Sequence, residues 1–180
     1  MPEPLDLDIS FSSRRWLEAL PDVEDRCHRA AQAAFGAAGP DNLGGAEVSI
    51  VLGDDEQVRA LNRTYRGMDK STNVLSFANI DSADLAAVQS GGGAPVLLGD
   101  IIVAYGVAVA EACAEAKSLA DHLSHLVVHG TLHLLGYDHQ DDSEADRMEQ
   151  LERSVLGRLG VDDPYAERPA DGRKNGAAAS

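Results

Sequence analysis

The chain has 180 residues, with 30 Asp and Glu against 15 Lys and Arg, and a formal net charge of −15. That length suits one ordinary domain with a real core. The charge excludes loose, charge-driven binding to nucleic acid, so a polyanionic substrate has to meet a local positive patch or a metal. No apolar run reaches the ~18 residues of a membrane span, and the opening MPEPLDLDIS lacks the apolar centre of a signal peptide. A cytoplasmic protein with no membrane partner is expected.

Leu5 to Phe11 alternates apolar and polar, the pattern of a half-buried strand. Ser12 to Leu20 reads as a short helical turn with Trp16 inward. A helix is expected from Asp22, burying Val23, Cys27, Ala30, Ala31, Ala34 and Phe35 until Gly39-Pro40 stops it. Ala46 to Leu52 is a second strand. Asp54 caps the next helix, with Gln57 in place to complete a capping box. Val58, Leu61 and Tyr65 form its inner face, and it ends near Arg66-Gly67.

Asn73 to Phe77 reads as a third strand, Asp81 to Pro95 as a mobile connection, and Val96 to Ala104 as a central strand. Asp100 interrupts that last run, and a buried Asp in a strand needs a partner. It is therefore expected to anchor structure near the site. An Ala-rich helix over 105–117 follows, and Ser118 caps the next one. Ser143 caps a last helix with a stripe of Met148, Leu151, Val155 and Leu159. Its acidic opening suits the positive end of the helix dipole rather than a second metal site. Cys27 and Cys113 are far apart among apolar residues, as buried thiols.

The order β-α-β-α-β-β-α-α-α does not alternate as a doubly wound fold would. It predicts one α+β domain over residues 1–163, with helices packed against a four-stranded mixed sheet and a metal site on a central buried helix. A disordered tail is predicted over residues 164–180.

Five of the six histidines fall within SLADHLSHLVVHGTLHLLGYDH, residues 118–139. At about 100° per residue, His122, His125, His129 and His133 occupy an arc of roughly 80° on one helix. The remaining positions are mostly apolar, so the helix is buried nearly all round. One buried histidine is ordinary core; four on one stripe are costly without a shared ligand. Gly136 ends the helix and lets the turn bring His139 back. His129, His133 and His139 then hold a metal with one position open, the arrangement of a catalytic site. His125 reads as support or packing, His122 as no ligand, and His28 as surface or packing. Three imidazoles suit Zn2+ best, although spacing alone admits nickel, copper or iron. Such a site lowers the pKa of bound water from ~15.7 to ~7, and hydrolysis is the default reaction.

The spacing HxxxHxxGxxH is that of metzincin proteases, which need a glutamate directly after the first histidine as base. Gly130 stands there and moves no proton, which demotes proteolysis. Arg59, Arg63, Arg66 and Lys70 form the densest basic cluster of the folded part. Arg59 and Arg63 fit a solvated helix face equally well. Arg66, in the turn beside Gly67, is expected to contact phosphate with its planar fork, with Lys70 beside it as a substrate-binding residue.

HGTLHLLGYDH, residues 129–139, resembles the signature HGxLHLxGYDH of the YbeY family of bacterial endoribonucleases. YRGMDKSTNVLSF, residues 65–77, resembles that family's second block, and Gly99-Asp100-Ile101 its third. The resemblance covers roughly residues 46–160 and implies an α+β fold. It implies a single-strand-specific, metal-dependent endoribonuclease of 16S rRNA 3′-end maturation and 70S ribosome quality control. Its metal ligands match His129, His133 and His139, with zinc the usual metal, and its functional arginine matches Arg66. His129, His133 and Arg66 are then the expected catalytic residues, and single-stranded rRNA of the 16S 3′ region the substrate. A ribosomal protein or assembly GTPase is expected to dock so acidic a body onto RNA. Two other readings stand beside this one: an assembly scaffold with a mainly structural metal, and a zinc-dependent hydrolase or peptidase of another substrate.

Overall fold

A computed structural model describes residues 5–40, 45–81, 84–85, 95–138 and 140–166. Four strands, β1 (Leu5–Phe11), β2 (Ala46–Gly53), β3 (Val74–Ala78) and β4 (Val96–Ala104), form one sheet in the order β1-β2-β4-β3. Among the described residues six helices accompany it: α1 (Arg15–Ala19), α2 (Val23–Ala38), α3 (Asp55–Arg66), α4 (Tyr105–Ala114), α5 (Leu119–Leu134) and α6 (Asp142–Arg158). The expected α+β class and mixed sheet are what the chain forms. None of these helices is long and apolar enough to cross a membrane.

β1 pairs parallel to β2, and β2 parallel to β4, so each step needs a crossover. The first is α1 and α2, the second α3 with β3. β3 runs antiparallel to β4 and is an edge strand. On one face of the sheet Ile50, Leu52, Ile101 and Val103 join the main core with α2, α5 and α6. On the other face Val58 of α3 packs on Leu75, Ile102 and Ala104. Trp16 is fully buried as expected, and its Nε1 donates to Gly53 O at 3.0 Å. The indole thus keeps a polar partner inside the core.

α5 forms because its ends are closed. Ser118 Oγ accepts from Asp121 N at 3.0 Å, a cap worth about 1 kcal/mol. At the other end Gly136, with φ 102°, donates to His133 O, and Tyr137 donates to Leu132 O. This pair of reversed bonds satisfies the last carbonyls and turns the chain sharply.

Several expectations are corrected. Asp100 is exposed, not a buried anchor: Ile101 and Val103 point to the core, and period-two alternation sends Asp100 to the other face, beyond the cover of α3. Cys113 is exposed because α4 turns only Ala108 and Ala112 inward. Tyr65 is 67% exposed: it lies in the last turn of α3, where its ring meets the edge of Phe77 on the edge strand instead of entering the core. Asp54 accepts from Gln57 N, but Gln57 Oε1 has no hydrogen-bond partner, so the reciprocal half of the capping box is missing. Asp141, not Ser143, caps α6 by accepting from Glu144 N at 2.8 Å. The buried stripe of α6 is Met148, Glu152, Val155 and Leu156, with Leu151 and Leu159 half-buried.

Most of the predicted mobile connection and residues 167–180 lie outside the described residues. Pro164 to Ala166 are described, and Tyr165 packs back onto α5 and α6.

Candidate active site

A groove of about 430 Å³ runs between edge strand β3 and the C-terminal half of α5. Arg66 enters from the end of α3, Asn73, Val74, Ser76 and Ala78 with Thr72 before them form one wall, and His129, His133 and Asp138 form the other. Residues 63 positions apart in sequence therefore face one space because β3 lies beside α5.

His129 and His133 leave α5 from successive turns. Their Nε2 atoms lie 3.1 Å apart, and both rings are half-buried, open to the groove. Nitrogen–metal bonds of about 2.0–2.1 Å at a tetrahedral centre put two nitrogens about 3.3 Å apart, so this pair fits one ion. The other nitrogen of His129, Nδ1, lies 2.6 Å from Glu152 Oε2. A carboxylate behind the imidazole is the usual support of a histidine ligand. His139 lies outside the described residues. Among the described residues no group of three or more His, Cys, Asp and Glu is placed to hold a metal. The candidate ligands seen here are thus the pair His129 and His133.

Glu152 is the residue that the sequence pattern passed over. It is 1% exposed and comes from α6, and it accepts from His125 Nε2 at 2.8 Å, from His129 Nδ1 and from the Tyr165 hydroxyl. Burial alone would raise its pKa; the hydrogen bonds from His125, His129 and Tyr165 outweigh that and hold it well below the ordinary carboxylate range. Burial, with the hydrogen bond to Glu152, pushes the Tyr165 hydroxyl well above its ordinary value. A signal was present: Glu152 stands four residues after Met148 and three before Val155, on the apolar stripe itself. A charged residue at such a position needs a partner. Asp138, just after α5, also lines the groove.

The remaining histidines are placed apart from the pair. His122 is buried, with Nε2 2.8 Å from Glu111 Oε1. Glu111 also accepts from Asn73 Nδ2 at 3.0 Å, which ties the start of β3 to α4 and α5. Burial lowers the pKa of His122 against the pull of Glu111. His28 is half-buried on α2.

Arg66 is the last helical residue of α3. Its Nη2 donates to Ser76 O at 3.2 Å, and its guanidinium lies 5.7 Å from the centre of the Phe77 ring. Lys70 is exposed and does not line the groove; its main-chain O accepts from the buried Asn62 Nδ2. Arg59 is paired with Asp69 through two hydrogen bonds, and Arg63 Nη1 lies 4.0 Å from the same carboxylate. Of the four basic residues in the cluster, the structure brings only Arg66 to the histidines.

Gly130 does not face the groove. A Cβ there would lie 3.1 Å from Ile101 Cγ2 and from Ser76 Oγ, so this position of α5 rests on the sheet. A side chain acting as peptidase base would fit at this point of the helix only if Ile101 or Ser76 gave way by a few tenths of an ångström.

A family model described as endoribonuclease YbeY matches residues 15–160. The endoribonuclease YbeY of Paramagnetospirillum magneticum is 53% identical over 169 residues, which cover 93% of this chain and 100% of that one. That of Azorhizobium caulinodans is 49% identical over 168 residues, covering 93% and 100%. A Thermotoga maritima protein solved in solution shares the fold at 20% identity with a TM-score of 0.50, covering 89% of this chain and 99% of its own.

Proposed function

The chain belongs to the YbeY endoribonuclease family, and on that premise we propose that it cuts single-stranded RNA in the groove between β3 and α5 with the help of a bound metal. Family membership makes it an RNA-cleaving hydrolase. The observation that carries the finer reading is the meeting of Arg66 with the Nε2 pair of His129 and His133 in one groove.

His129, His133 and His139 would hold the ion, and neutral imidazoles favour zinc. A divalent ion in such a setting supplies Lewis acidity for a phosphoryl oxygen and an acidified water. The chain's own residues do the rest. Arg66 keeps one N–H on Ser76 O, which aims the remaining donors at a non-bridging phosphate oxygen. Phe77 beneath the guanidinium restrains it further. Glu152 holds His129 from behind. The wall of β3 gives a single strand a surface to lie along, and to Lys70, exposed outside the groove, we assign a phosphate farther out rather than the scissile one.

The substrate we assign is the 3′ region of 16S rRNA, in maturation and in quality control of 70S ribosomes, within the cytoplasm. The net charge of −15 supports delivery by a partner, a ribosomal protein or assembly GTPase, because unaided capture of RNA by so acidic a body is weak and salt-sensitive.

The test measures zinc content and cleavage on one preparation, with a single-stranded 16S 3′ fragment and its duplex. Wild type is expected to carry about one zinc per chain and to cut only the single strand. Stripping zinc with a chelator, or His133→Ala, removes metal and cleavage together. Undiminished cutting by folded, zinc-free protein sinks the reading.

A further inference from the structure

Three donors converge on one buried carboxylate. Glu152 Oε2 takes His129 Nδ1; Glu152 Oε1 takes both His125 Nε2 and the Tyr165 hydroxyl. An ionised carboxylate only accepts, so the Nδ1 of His129 carries its hydrogen. A neutral ring in that tautomer presents the Nε2 lone pair, and this is the atom that faces His133 across 3.1 Å. Without Glu152 the ring is free to choose the other tautomer, which puts a hydrogen where a ligand needs a lone pair.

His125 uses the same carboxylate differently. Its Nε2–H is committed to Glu152, and its Nδ1 is buried without a hydrogen-bond partner. It offers nothing to the groove, yet it holds the second side of Glu152.

Tyr165 reaches this point because the chain doubles back after α6. Gly160 takes φ 79°, and Val161 N donates to Leu156 O, closing the helix. Asp163 Oδ1 then accepts from Tyr165 N at 2.8 Å and from Arg153 Nε at 3.3 Å. The Arg153 guanidinium lies 5.3 Å from the centre of the Tyr165 ring, whose edge meets His125 at 5.7 Å between centroids. Aromatic ring, hydroxyl and turn are each held independently, so this segment closes over Glu152 on several contacts.

We propose that Glu152 and Tyr165 are positioning residues for the histidine pair. Glu152 sets the tautomer and ring orientation of His129, and the segment after α6 locks Glu152 in place through the Tyr165 hydroxyl. The inference rests on the reading that His129 and His133 hold a metal, and it adds the residues through which the C-terminal side of the fold controls that metal.

The experiment uses full-length protein, metal-free and then titrated with zinc against a chelating dye. Imidazole 15N shifts report the His129 tautomer before any metal is added. In wild type His129 is expected as the Nδ1–H form. Glu152→Gln mixes the tautomers and weakens zinc about ten- to a hundredfold. Tyr165→Phe keeps the ring, removes one hydroxyl and weakens zinc by a smaller factor in the same direction, so it decides the matter if Glu152→Gln does not fold. If folded Glu152→Gln or Tyr165→Phe binds zinc as wild type does and leaves the His129 shifts unchanged, the positioning role is overturned while the metal reading stands. If wild type binds no zinc but Glu152→Gln still shifts the tautomer, the metal reading fails and the positioning of His129 stands.

Discussion

Arg66 Nη2 donates to the main-chain O of Ser76 at 3.2 Å, tying the last residue of α3 to the edge strand. The tie uses one of five guanidinium donors, so a fork remains for substrate. Arg66→Lys keeps the charge but cannot hold the strand and a phosphate together. Loss of cleavage of about a hundredfold is expected for Arg66→Lys, and more for Arg66→Glu, with zinc content unchanged in both. Equal loss of metal in these variants would place Arg66 in the fold rather than at the phosphate.

Gly130 tests the distance from the peptidases. Gly130→Glu restores the glutamate of the protease motif at a position 3.1 Å from Ile101. The added side chain has to displace Ile101 or Ser76 and brings a charge to a buried position. We expect destabilisation of about 3 kcal/mol or more in urea unfolding, and no peptidase activity. A stable variant that cleaves casein would show that the face of α5 is misassigned.

The two thiols should behave oppositely. Burial, with Glu24 nearby, pushes Cys27 up to about 12, while Cys113 is exposed. Native protein is expected to take up one equivalent of a maleimide, at Cys113, and a second only on unfolding. Labelling of Cys27 in the native state would contradict the packing of α2.

His122 gives a pH signature. Burial lowers its folded pKa below the unfolded value of about 6.5, so the unfolded chain binds the proton first. Its share of stability is intact above that pH and is lost as pH falls from there to the folded pKa. The stability difference between wild type and His122→Gln should therefore shrink across this window. A difference that grows on acidification would mean that Glu111 outweighs burial.

Much of this protein was legible along the chain because its signals are local. Period-two alternation marks β1, and the small-residue stripe of α2 marks the helix face that the core covers. Ser118 and Gly136 bound α5, since a cap needs only neighbours within a turn. The histidine stripe followed from helical spacing, and it put His129 and His133 on one face before any fold was known.

What tertiary structure decided was every relation between elements. Strand order made β3 the edge and brought Arg66 to the histidines, while the equally charged Lys70 stayed outside and Arg59 turned to Asp69. Asp100 and Cys113 were misread because period and apolar neighbours tell which faces differ, not which face the core covers. Glu152 carried only a faint local mark. Its meaning came from the packing of α6 on α5 and the return of Tyr165, because a buried charge is understood through its partners, and partners meet only when the chain folds.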